Sequence, residues 1–101
     1  METPFGWHEA DEQEVKDVFN TLRSFETMTW SEIVGKNSHL IPTSALCSDA
    51  KSCPEIIDVA EVMSLRVASA KRIFGIMDGA VCTIIWWDPR HAVYPMNIAN
   101  N

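Results

Sequence analysis

Arg66, Arg72, His91 and Tyr94 fall within the last third of the chain. As side-chain types they could handle a phosphodiester without a metal. Arginine grips phosphate through parallel N–H donors and offsets charge building on phosphorus. Histidine or tyrosine can carry the proton that a hydroxyl loses or a departing oxygen gains. The same residues also suit a plainer role. Arg66 and Arg72 would then be solvent-side residues of a half-exposed sheet, paired with Glu61 or Asp78. His91 would bond the backbone after Asp88-Pro89, and Tyr94 would cap the core. A second candidate group is acidic: Asp11, Glu12 and Glu14 in the run Glu9-Ala10-Asp11-Glu12-Gln13-Glu14, followed by Asp17. It is suited to meeting a basic protein surface, or simply to keeping a helix solvated.

The basic set must be positioned by strands. Glu61–Ala68 alternates, with Met63, Leu65 and Val67 on one face and Val62, Ser64 and Arg66 on the other. Lys71–Met77 reads as a second strand, with Arg72, Phe74 and Ile76 opposite Ile73, Gly75 and Met77. The hairpin dipeptide Asp78-Gly79 predicts a type I′ turn. Ala80–Trp87 follows, apolar on both faces and therefore expected at the sheet centre. Asp88-Pro89 ends it, and His91–Pro95 is expected to return as a short strand. Trp86 and Trp87 are adjacent, so they point to opposite faces and cannot both stack on one ligand. One belongs to the core. The other is expected to be exposed, with Trp87 the interface candidate.

The acidic set sits on a helix. Val15, Val18, Phe19, Leu22 and Phe25 recur at helical spacing over Asp11–Phe25. Asp11 and Glu14 predict a capping box, and Thr29 with Glu32 predicts a second one opening a short helix through Val34. Lys36 to Pro42 reads as a loop, Thr43 or Ser44 to Lys51 as a weaker helix, and Cys53 to Asp58 as irregular. Phe5 and Trp7 alternate as a short edge strand would.

Composition bounds the rest. The chain has 101 residues, 47% of them hydrophobic, and a net charge of −6. That suits one compact α+β domain over residues 1–101: N-terminal helices packed on a three- to four-stranded antiparallel sheet. Residues 1–60 hold four Lys/Arg against eleven Asp/Glu, and residues 61–101 four against three. Acidity on this scale disfavours generic nucleic-acid binding. No apolar run reaches membrane-spanning length, and Met1-Glu2-Thr3-Pro4 does not open a signal peptide, so a cytoplasmic location is expected. Cys47, Cys53 and Cys82 are expected as free thiols, although Cys47 and Cys53 could pair across a short loop. His8, Glu9 and Asp11 match no metal spacing, and neither metal nor cofactor is expected.

Element order resembles the RelE/ParE toxin superfamily. A narrower likeness lies in Thr29-Trp30-Ser31-Glu32-Ile33, Lys36…His39-Leu40-Ile41-Pro42, Ser64-Leu65-Arg66-Val67, Lys71-Arg72-Ile73-Phe74-Gly75 and Trp86-Trp87-Asp88-Pro89-Arg90-His91-Ala92-Val93-Tyr94-Pro95. This pattern is similar to that of a family of small bacterial proteins that look distantly RelE-like. The resemblance implies a sheet face whose basic residues contact RNA or another phosphate-rich partner. Arg66, Arg72, His91 and Tyr94 are the positions carried over, with Lys36 and His39 in reserve. It implies a toxin–antitoxin or mobile-element protein that binds a macromolecular partner, such as an antitoxin, and could cleave RNA. Two features depart from the family: the acidic charge, and a tail, Met96–Asn101, without basic or aromatic residues. The alternative is a non-enzymatic, phage-encoded anti-defence inhibitor of the anti-CRISPR type, its acidic helical face blocking a basic nucleic-acid channel. A third reading is an adaptor that dimerises through an exposed tryptophan and a sheet edge.

Overall fold

The computed structural model describes residues 5–35 and 38–94. Its centre is an antiparallel meander of four strands: β1 (His39–Pro42), β2 (Glu61–Ala68), β3 (Lys71–Asp78) and β4 (Val81–Asp88), lying side by side in chain order. Three α-helices, α1 (Glu12–Phe25), α2 (Trp30–Val34) and α3 (Ser48–Lys51), complete the α+β arrangement. Among the described residues, no helix is long and apolar enough to cross a membrane.

Both faces of the sheet are covered, and strand alternation divides the core in two. Met63, Leu65, Ile73 and Trp87 pack with Val18 of α1 and Ile33 of α2. On the opposite face Val62, Phe74 and Trp86 pack with Ile41, Leu46, Ala50 and Ile56, and with Phe5 and Val93 from near the two ends of the chain. Both expected capping boxes form. The Glu14 and Glu32 amides donate to Asp11 and Thr29 side chains, and each glutamate accepts from the backbone N–H of its cap residue. The Trp30 indole N–H donates to the Ala80 carbonyl at 2.9 Å, tying α2 to the β3–β4 hairpin.

Several expectations are corrected. Leu40 and Ile41 lie in β1, paired with Met63 and Val62, where a loop was expected. The weak helix is broken into a 3₁₀ turn, Thr43–Ala45, and α3. Trp7–Glu9 is a 3₁₀ turn, not a strand. Residues 91–94 form bends and irregular backbone in place of a returning strand, and Pro95 lies outside the described residues. β4 is an edge strand. Its two apolar faces come from covering above and below the sheet, not from a central position. The hairpin loop is Gly79-Ala80, closed by Asp78 opposite Val81, with positive φ at Gly79 alone. That is the pattern of a type II′ turn. On α1, Val18 is buried whereas Val15 and Phe19 are exposed, Phe19 to 64%, because the helix rests on the sheet along the side that carries Val18, Leu22 and Phe25.

Trp86 and Trp87 are 4% and 0% exposed, so neither is a surface residue and Trp87 is unavailable to a partner. The cause is a bulge: Gly75 pairs with Ile84 and Phe74 with Trp86, so Ile85 is extra, and each tryptophan enters a different core.

Gly75 fits this register because a Cβ there would sit 2.8 Å from the Thr83 carbonyl oxygen and even nearer the Cys82 sulfur. Gly75→Ala should therefore destabilise the protein by about 1–3 kcal/mol in urea unfolding. Adding Cys82→Ala should return part of that loss, since it removes one of the two clashes. Burial also raises the Cys82 thiol above its ordinary value of 9.0. The unfolded chain ionises this thiol first as pH rises. Its contribution to stability is intact below pH 9.0 and declines as pH climbs toward the folded-state value. Between pH 8 and 10 the wild-type urea midpoint should fall further than that of Cys82→Ala.

Candidate functional site

On β2 and β3 the residues that alternate with the α1-side core are Ser64, Arg66 and Arg72. They extend the opposite face toward the end of the sheet where its apolar cover stops. β1 ends short there: His39 pairs with Ser64, and beyond it the buried Ser38 hydroxyl accepts from the Arg66 amide at 3.0 Å. Arg66 and Arg72 are direct cross-strand partners, and Arg72 is in turn the partner of Asp88 on β4. Like charges directly opposite one another on a sheet repel. Among the described residues, neither guanidinium is in an ion pair with a carboxylate.

His39, Ser64, Arg66, Ser69, Arg72, His91 and Tyr94 line a cavity of about 400 Å³ open to solvent. The structure thus gathers Arg66, Arg72, His91 and Tyr94 around one concavity, together with the reserve candidate His39. The other reserve candidate, Lys36, lies outside the described residues. No aspartate or glutamate is in the lining. Burial lowers the pKa of the Arg72 guanidinium, the neighbouring Arg66 lowers it further, and Asp88 acts in the opposite sense. Arg72 Nη1 donates to the carbonyls of Ser69 and Lys71, which aims the guanidinium along the β2–β3 turn. An anion entering the cavity would relieve the Arg66–Arg72 repulsion.

Among the described residues, the two non-glycine residues with positive φ, Ser69 at 47° and His91 at 60°, belong to this lining. His91 is held by a bond between its Nδ1 and the Tyr94 carbonyl at 2.6 Å. Asp88 lies beneath them with no exposed surface, its two oxygens accepting from the amides of Ala92 and Val93. In the sequence Asp88 stands out only as half of a strand-stopping pair with Pro89. An aspartate followed after a proline by a short polar turn was the available signal, since Asp side chains commonly bond backbone a few residues on.

The acidic residues lie elsewhere. Asp11 and Glu14 form the α1 cap, and Glu14 also meets Lys71 Nζ at 3.3 Å. Glu12 pairs with Lys16 at 3.6 Å, and Asp17 accepts from Gln13 at 3.0 Å. Glu9 pairs with Arg90. Among the described residues no three His, Cys, Asp or Glu side chains converge as a metal site requires, and the three cysteines are free thiols.

No family model, curated protein or solved structure matches this chain. The cavity must therefore be interpreted from its own chemistry.

Ser69 bears a left-handed conformation that disfavours a Cβ by about 1–2 kcal/mol. Glycine's extra freedom in the unfolded chain offsets roughly 0.5–1 kcal/mol of that. Ser69→Gly should leave stability unchanged or raise it by up to about 1.5 kcal/mol in urea unfolding, because the carbonyl that Arg72 uses is retained.

Proposed function

We propose that this chain is a RelE/ParE-like protein of a toxin–antitoxin or mobile-element context that holds RNA by a backbone phosphate in the cavity and cleaves the strand there. One observation carries the reading. In a chain of net charge −6, two arginines face each other across adjacent strands beside two histidines and a tyrosine, with no carboxylate in the lining. Such a set places cationic N–H donors where a phosphate would sit, and proton carriers beside them. The cavity's volume of about 400 Å³ is on the scale of a single nucleotide, and single strands can turn one out of the stack. With no carboxylate in its lining, the cavity presents its two guanidiniums directly to a polyanion.

The inhibitor reading, with Asp11, Glu12, Glu14 and Asp17 as contact residues, receives less support. Glu14 is committed to the helix cap and Lys71, and Asp17 to Gln13.

The test is binding and cleavage of a mixed-sequence single-stranded RNA oligonucleotide at two salt concentrations. Losing a charged hydrogen-bond donor costs about 1.5–3 kcal/mol. Arg66→Ala and Arg72→Ala should each weaken binding roughly 10- to 100-fold with the fold intact. Wild-type affinity should fall with salt by a log–log slope near 0.7 per phosphate neutralised. Unchanged RNA binding in both arginine variants would refute the reading. Loss of protein-partner binding on converting Asp11, Glu12 and Glu14 to lysine, with no RNA affinity in the wild type, would replace it with the acidic inhibitor.

A further inference from the structure

We propose that Asp88 is a positioning residue of the cavity, setting which imidazole nitrogen of His91 a ligand meets. The identity of that ligand rests on the RNA reading above; the role of Asp88 does not.

A buried carboxylate is costly unless its oxygens are hydrogen-bonded. Asp88 meets this condition through backbone alone. Oδ1 accepts from Ala92 N–H and Oδ2 from Val93 N–H, each at 2.9 Å. The carboxylate therefore straps residues 92 and 93 back onto the end of β4. The intervening chain must reverse within Pro89, Arg90 and His91, and His91 takes the left-handed conformation with φ 60°. A non-glycine residue stays in that region only where its surroundings impose it.

The tightened turn brings His91 Nδ1 to 2.6 Å from the Tyr94 carbonyl oxygen. A carbonyl only accepts, so Nδ1 must carry the hydrogen. Neutral His91 is thereby fixed as the Nδ1–H tautomer, with the lone pair on Nε2. Among the described residues Nε2 has no hydrogen-bond partner. It can accept a hydrogen bond from a ligand hydroxyl when the ring is neutral, or donate one to a phosphate oxygen when it is charged. Without the strap, Nδ1 would lose its fixed acceptor, and the tautomer more common in free histidine, Nε2–H, would compete. Asp88 thus acts on His91 without touching its ring, while as the cross-strand partner of Arg72 it keeps the turn in register with the arginine pair.

Long-range ¹H–¹⁵N NMR of the full chain reads the tautomer directly. Wild-type His91 should show a protonated Nδ1 and a bare Nε2, and a single-stranded RNA oligonucleotide should shift Nε2. In Asp88→Asn one oxygen of the strap becomes an NH₂ group facing a backbone N–H. The His91 signals should move toward a mixture of tautomers, and RNA affinity should fall at least threefold. Arg72→Ala should weaken RNA binding but leave the tautomer as it is. His91→Asn tests the same nitrogen in a second way. Asparagine tolerates the left-handed backbone and keeps an N–H for Tyr94, but has nothing in place of Nε2, so RNA affinity should fall without loss of stability. A wild-type His91 in the Nε2–H form would overturn the proposal even if Asp88→Asn failed to fold, as would Asp88→Asn with unchanged tautomer and affinity. Failure of RNA to bind the wild type would defeat the functional reading alone, since the tautomer populations would still decide the role of Asp88.

Discussion

Adjacent residues on a strand must point to opposite faces, and at Trp86 and Trp87 this constraint organises the whole molecule. The two indoles, next to each other in the chain, anchor different cores: Trp86 packs edge-on to Phe5 with ring centroids 5.1 Å apart, and Trp87 stacks with Trp7 at 6.4 Å. A bulge is needed to seat them, and the bulge in turn needs a glycine at position 75. With both faces of the meander covered near its middle, polar residues can collect only where the covering ends. The cavity lies there, at the end of β2 and β3 beyond short β1. Its location follows from the apolar packing.

The charge distribution obeys a similar economy. The acidic N-terminal half mostly serves its own structure, capping α1 and pairing with Lys16, Lys71 and Arg90. Of the basic side chains in the last third, Lys71 and Arg90 are neutralised by these carboxylates, while Arg66 and Arg72 are left facing each other. A protein that is acidic overall can in this way present a locally cationic hollow, and net charge by itself is a poor guide to what the hollow accepts.

Much of this was legible in the residues. Alternation located β2, β3 and β4 to within a residue, and the Asp11/Glu14 and Thr29/Glu32 pairs gave both helix starts, because these signals are local and periodic. The face shared by Arg66 and Arg72 followed from the same alternation. β1 escaped notice because four residues ending in Pro42 carry too little pattern, and its existence depends on pairing with β2. The burial of Trp87 and the edge position of β4 are hidden in the sequence for one reason. An apolar strand records that it is covered, not whether neighbouring strands or overlying segments cover it. The Asp88 strap has no periodicity at all. It is a side chain bonding backbone four and five residues ahead, visible only once the turn is folded.

Phe5 and Val93 enter the same apolar cluster, so one face of the sheet is finished by segments almost ninety positions apart in the chain. Joining segments so distant exacts the largest loop-closure entropy of any contact described here. The other face also closes over long separations, since Val18 of α1 and Ile33 of α2 pack with Ile73 and Trp87. Phe5 and Val93 themselves lie outside any helix or strand, so their segments can open by sub-global fluctuations that leave the sheet and helices intact. His91 and Tyr94, which flank Val93, line the cavity, so the hollow can admit a guest without the whole protein yielding.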